Sequence, residues 1–106
     1  MQIQSERVVG VTFEGRQEII RKMNELTNTL FALREPDNPY DSNAIGVYTK
    51  DHRGRKRSVG YIRKEKAAEL APQLDAGKTL DILNYHIVGS GANGHSLGIL
   101  FEYILR

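Results

Sequence analysis

Towards the C-terminal end of the chain apolar side chains recur at every second position: Leu80, Ile82 and Val88 in one stretch, then Leu97, Ile99, Phe101, Tyr103 and Leu105 in the next. A period of two belongs to strands with one face on a core. These two stretches predict strands over residues 79–88 and 96–105, with the glycine-rich run Gly89-Ser-Gly-Ala-Asn-Gly94 between them and Asn93-Gly94 as a hairpin turn. Four shorter β-branched or apolar stretches, residues 8–13, 29–35, 44–49 and 58–62, read as further strands. Two segments change period. Ile19, Ile20, Met23 and Leu26 share one helical face over 16–26, and Ala67, Ala68, Leu70, Ala71 and Leu74 do so over 63–75, with Gly77 as the stop. Pro72 has no N–H for the carbonyl of Ala68, which predicts a kink or two short helical pieces. Six short strands and two short helices in 106 residues predict a single domain over residues 1–106, mainly β, built as a strongly bent antiparallel sheet or barrel with the helices covering an end or a gap.

The run Arg34-Glu-Pro-Asp-Asn-Pro-Tyr-Asp-Ser-Asn-Ala-Ile-Gly-Val47 carries far more chemistry than a connection between two strands requires. Pro36 and Pro39 fix φ and bias their predecessors to extended geometry, while Asp37, Asn38, Asp41 and Asn43 can bond back to nearby amides. The expected result is an ordered loop with Tyr40 and Asp41 at its far end. Charge is also unevenly placed. Residues 50–66 hold eight Lys or Arg against Asp51 and Glu65, a local charge of +6, although the whole chain is only +2. Concentrated positive charge favours a polyanion, through release of condensed counterions, and is equally what a solvated hairpin tip looks like.

Several functions lack their chemistry. With no cysteine there is no disulfide framework and no thiolate nucleophile, which fits a reducing compartment. The first residues carry no apolar signal core and no stretch approaches a membrane span, so the expectation is a cytoplasmic protein with no membrane partner. Gly89 to Gly94 matches a dinucleotide glycine pattern, but an alternating strand follows it where a helix N-terminus should hold the pyrophosphate. His52, His86 and His95 have no helical metal-pair spacing, the Asp37–Asn43 region lacks the glycine and glutamate of a calcium loop, and no serine lies in a nucleophile elbow. The reading is a protein with no cofactor, no metal and no catalysis.

The aromatic residues point further. Phe31, Tyr85, Phe101 and Tyr103 fall in strands as core or sheet-surface residues, whereas Phe13, Tyr40 and Tyr61 sit at a strand end, on the ordered loop and beside Arg63-Lys64. Rings beside cations suit single-stranded nucleic acid, since bases stack on rings while phosphates meet the charges. A carboxylate at Asp41 repels phosphate. It either caps the turn or accepts a hydrogen bond from a ligand hydroxyl, such as the free 3′-hydroxyl at a strand end.

Val8-Val-Gly-Val-Thr-Phe-Glu-Gly-Arg-Gln-Glu18, the Arg34–Val47 run, and Val59-Gly-Tyr-Ile-Arg-Lys-Glu65 with residues 67–77 together resemble the HIRAN domain. The resemblance implies a small OB-like or SH3-like six-stranded antiparallel barrel, found in fork-remodelling helicases and as standalone bacterial and phage proteins. In the helicase members it captures the 3′ end of single-stranded DNA, which implies a DNA-repair or replication-fork context and a helicase or nuclease acting in trans as a compatible partner. By this resemblance Asp41 matches the acid that accepts the 3′-hydroxyl, Tyr40 an aromatic enclosing the terminal nucleotides, and Lys64 a phosphate contact. Tyr61 stands where the helicase type has histidine, and Phe13 matches a pocket tyrosine without its hydroxyl. Thr12-Phe13-Glu14 replaces an Arg-Tyr-Tyr triplet, so one phosphate-binding arginine is absent, with Arg16, Arg63 or the Arg53–Arg57 turn as its replacement. The implied DNA-binding set is Phe13, Arg16, Asn38, Tyr40, Asp41, Tyr61, Arg63 and Lys64. The competing expectation is a protein-interaction adaptor that keeps the barrel and has lost the DNA site.

Overall fold

The structure, a computed structural model, describes residues 2–89 and 95–106; the expected Asn93-Gly94 turn lies outside the described residues. In chain order the elements are β1 (Gln4–Val9), α1 (Arg16–Lys22), β2 (Leu30–Arg34), β3 (Ile45–Lys50), β4 (Lys56–Ile62), α2 (Lys64–Asp75), β5 (Leu80–Val88) and β6 (Gly98–Leu105). Every strand pairing is antiparallel, and the sheet runs β2-β3-β4-β1-β6-β5. Its two outer strands, β2 and β5, come together and bring the sheet close to closure. The Tyr85 hydroxyl bridges that gap by donating to the Asn28 carbonyl at 2.8 Å, just ahead of β2. This is the expected mainly β, OB-like barrel.

Its interior is filled from every side. Val8, Ile45, Val47, Val59, Ile99, Phe101 and Tyr103 are buried from the strands, and Ile20, Ala67 and Leu70 from the helices. Truncating an aromatic such as Phe101 costs about 3–5 kcal/mol in interiors of this kind. No described helix is long and apolar enough to cross a membrane.

Four local expectations are corrected. The first strand spans Gln4–Val9 rather than 8–13, because its inward positions include Gln4 and Glu6, which hydropathy does not register. Both are satisfied there, Gln4 Oε1 by the Tyr103 hydroxyl at 3.0 Å and Glu6 by Arg63 at 2.8 Å. Gly10, at φ +73°, then turns the chain out of the sheet. The first helix stops at Lys22 and leaves Leu26 94% exposed. Asn24 and Asn28 end it: the Asn28 side chain takes the Asn24 N–H at 2.7 Å and the Asn24 side chain takes the Leu26 N–H at 2.8 Å, an alternative to helical bonding. The second helix runs through Pro72 as one element, with Pro72 and Ala68 both exposed so that the freed carbonyl can meet water. In β5 the pairing register shifts between Ile82 and Asn84, so the inward positions pass from Leu80 and Ile82 to Tyr85 and Ile87, not to Val88.

Candidate nucleic-acid interface

The loop joining β2 to β3 is built by its own side chains. Asn38 Oδ1 accepts the amides of Tyr40 at 2.9 Å and Asp41 at 3.2 Å, and Asp41 Oδ1 accepts the Asn43 amide at 2.9 Å. Backbone bonds from Glu35 to the Ala44 carbonyl at 2.9 Å and from Ala44 to the Asp41 carbonyl at 3.1 Å close its base. Pro36 and Pro39 fall where no donor is needed, so the loop is held with little residual freedom. At its tip Tyr40 is 93% exposed. Asp41 Oδ1 is occupied by the turn, while Oδ2 has no protein partner among the described residues.

Beneath the loop lies a carboxylate that the sequence reading did not single out. Glu35 Oε1 accepts from the Tyr61 hydroxyl at 2.9 Å and from Asn38 Nδ2 at 3.1 Å, and Oε2 accepts from the Tyr48 hydroxyl. One side chain therefore ties the loop to β3 and β4. Gly46 makes the space: a Cβ there would overlap Glu35 Oε2 and lie 2.6 Å from Tyr48 Cε1. Partial burial pushes the Glu35 carboxyl up, but the bonds from Tyr48, Asn38 and Tyr61 outweigh it and hold it below its ordinary value. Burial, reinforced by the bond to Glu35, pushes both phenols up.

The two shifts bound a pH window. A depressed Glu35 contributes stability present above the unfolded carboxyl value, lost as pH falls through the folded one; raised phenols contribute stability lost as pH rises past 10. Thermal unfolding of the wild type should fall off on both sides of this window. In Glu35→Gln the acid-side loss should shrink, because that carboxyl no longer titrates. An unchanged acid limb would show that the network does not set it.

Arg16, in the first turn of α1, completes the floor. It is only 7% exposed, donates from Nη1 to the Gly10 carbonyl at 2.8 Å, pairs through Nη2 with Glu14 at 3.3 Å, and lies 5.3 Å from the centroid of the Tyr61 ring. One face of Tyr61 is thus taken by the guanidinium. Among the described residues the buried Arg16 Nε has no hydrogen-bond partner.

Loop, floor and the start of α2 enclose a cleft of about 820 Å³. It gathers six of the eight sequence-predicted residues: Arg16, Asn38, Tyr40, Asp41, Tyr61 and Lys64. Phe13 and Arg63 are not in its lining; Phe13 is 65% exposed on the turn before α1, and Arg63 pairs with Glu6 at 2.8 Å. Nor is the cleft basic. Its cations are Arg16, Arg34 and Lys64, against Glu14, Glu35, Asp37 and Asp41. Arg16 is held by Glu14, and Arg34 is held bidentately by Asp75 at 3.0 and 3.1 Å. Among the described residues, Lys64 is the lining cation without a carboxylate partner. The basic turn lies elsewhere, at the Lys50/Lys56 end of the β3–β4 hairpin, whereas the cleft is at the Ile62 end.

Glu35, Gly46 and the Arg16–Tyr61 contact were absent from the sequence reading. The one available signal was the position of Glu35 inside the Arg34–Val47 run.

Comparison with known proteins agrees with this architecture. The HIRAN domain family matches residues 5–102. A crystal structure of a Lactobacillus plantarum protein is similar with a TM-score of 0.59 and 22% identity, over 94% of this chain and 92% of that one. The HIRAN domain of human HLTF is similar with a TM-score of 0.55 and 23% identity, over 95% of this chain and 74% of that one. No curated protein sequence matches significantly.

Proposed function

The chain belongs to the HIRAN domain family, whose members are DNA-binding modules rather than catalysts, and we propose that it binds single-stranded DNA at a free 3′-hydroxyl end. The observation that carries this reading is the division of labour at Asp41. Its Oδ1 is spent on the Asn43 amide while Oδ2, in a cleft beside the exposed Tyr40 ring, meets no protein donor among the described residues and can accept from a ligand. A carboxylate accepts strongly from a hydroxyl, and an internal phosphodiester offers none. The charge of the cleft supports an end over a continuous strand. Four carboxylates suit few phosphates, and Lys64 is placed to meet one of them. Tyr40 offers a stacking surface, and Tyr61 the ring face that Arg16 leaves open. Phe13 and Arg63, outside the lining, would meet only nucleotides further from the end.

The same excess of carboxylates favours a second reading, an adaptor that keeps the barrel and binds protein. Titration with a labelled single strand at low salt separates the two, because electrostatic attraction is strongest there. Binding is expected, and Lys64→Ala should weaken every strand alike and lower the logarithmic salt slope by about one. Failure of the wild type to bind would transfer the site to the adaptor reading.

A further inference from the structure

A second groove, of about 620 Å³, lies between the tip of the β3–β4 hairpin and the end of α1. Ile19, Met23 and the buried Thr49 shape its walls. Its charged lining reverses that of the cleft: Lys22, Arg55 and Arg57, with His52, surround a single carboxylate, Asp51. Lys22 comes from the helix and the arginines from the hairpin, so the fold assembles this group from separate segments.

Asp51 does more than offset charge. Its Oδ1 accepts the amides of Arg53 and Arg55, both at 2.9 Å, which sets the turn, with Gly54 at φ +76°. Its Oδ2 accepts Nε of both Arg55 and Arg57, each at 3.1 Å. Two guanidinium groups are therefore held side by side through Nε. Among the described residues neither spends a terminal amino group on a protein acceptor, and the side chains remain 56% and 43% exposed. A hairpin tip that merely needs solubility does not require two arginines pinned to one carboxylate. The terminal amino groups of such a pair match the oxygens of phosphate, which a guanidinium binds through two parallel bonds.

We propose that this groove is a second nucleic-acid contact, in which Arg55, Arg57 and Lys22 hold phosphodiester groups. The hairpin separates it from the cleft by roughly 20 Å at ~3.3 Å per strand residue, so one nucleic acid can span both. A polymer with a phosphate at every step satisfies that geometry; a lone anion does not. The proposal takes DNA binding from the family and does not need the cleft to recognise an end.

DNA without ends isolates the groove. A closed single-stranded circle and a duplex closed by loops at both ends offer no 3′-hydroxyl, so the cleft has no terminus to recognise. The wild type should bind one or both at low salt. Arg55→Ala/Arg57→Ala should bind about tenfold more weakly with a salt slope shallower by about two, whereas Arg7→Ala/Lys78→Ala, which removes the same charge outside both sites, should change binding less than about twofold. A larger loss on the looped duplex assigns the groove to duplex phosphates, and a larger loss on the circle to a continuing single strand. Unfolding curves for each variant confirm that the exposed changes leave the barrel intact. The proposal is overturned if neither closed DNA binds, or if the arginine pair loses no more affinity than the control pair.

Discussion

Gly60→Ala is expected to destabilise the domain by about 3 kcal/mol, lowering Tm by roughly 12–24 °C in a chain of this size. Gly60 lies in β4 at φ +146°, where β4 passes from β3 to β1 and the pairing with β3 is irregular. A Cβ there would overlap the Val9 carbonyl oxygen and fall 2.6 Å from Val8 Cγ1. Neither neighbour can yield easily, because Val9 pairs with Tyr61 in the β1–β4 ladder and Val8 is 2% exposed. Gly54→Ala is the matched control. Gly54 also has positive φ, +76°, but an added Cβ would meet nothing within 4 Å among the described residues, so only backbone strain of about 1 kcal/mol is expected. Thermal unfolding followed by circular dichroism compares them. Equal losses would show that the β1–β4 approach is looser than described.

Asp41→Asn should erase discrimination between strand ends while leaving the loop in place. Asparagine can keep the acceptor that Asp41 Oδ1 presents to the Asn43 amide, so the turn survives. What it removes is the free acceptor: the place of Oδ2 is taken by an uncharged NH2 group, which donates and cannot accept from a ligand hydroxyl. Hydrogen bonds to charged groups contribute about 1.5–3 kcal/mol, so the preference for a 3′-hydroxyl should fall by tenfold or more. Alanine at the same position removes turn and acceptor together and cannot separate them. If Asp41→Asn keeps the wild-type preference, the carboxylate serves only the turn.

The barrel was legible because apolar side chains keep period two through Ile99, Phe101 and Tyr103, all buried. Hydropathy misled where polar groups point inward. Gln4 and Glu6 extend β1 away from the expected residues 8–13, and their inward placement depends on Tyr103 and Arg63, distant in sequence. Leu26 misled in the opposite sense: it keeps helical spacing, but Asn24 and Asn28 end the helix before it.

At the candidate site the Arg34–Val47 run was readable as an ordered turn presenting Tyr40 and Asp41, since prolines and short polar side chains act on neighbours in sequence. The role of Glu35 was not readable, because its partners Tyr48 and Tyr61 lie 13 and 26 residues away. Nor could the sequence separate the basic turn from the cleft. Closeness along the chain between Arg57 and Lys64 hides the length of β4, which carries them to opposite ends of the barrel.

The function of the cleft turns on what meets Asp41. Two oligonucleotides of identical sequence, one ending in a 3′-hydroxyl and the other in a 3′-phosphate, test it by direct titration of the wild-type protein. Binding of the hydroxyl end is expected to be at least about tenfold tighter, since the phosphate removes the donor and places a second anion against the carboxylate. Equal affinity for the two ends would contradict it.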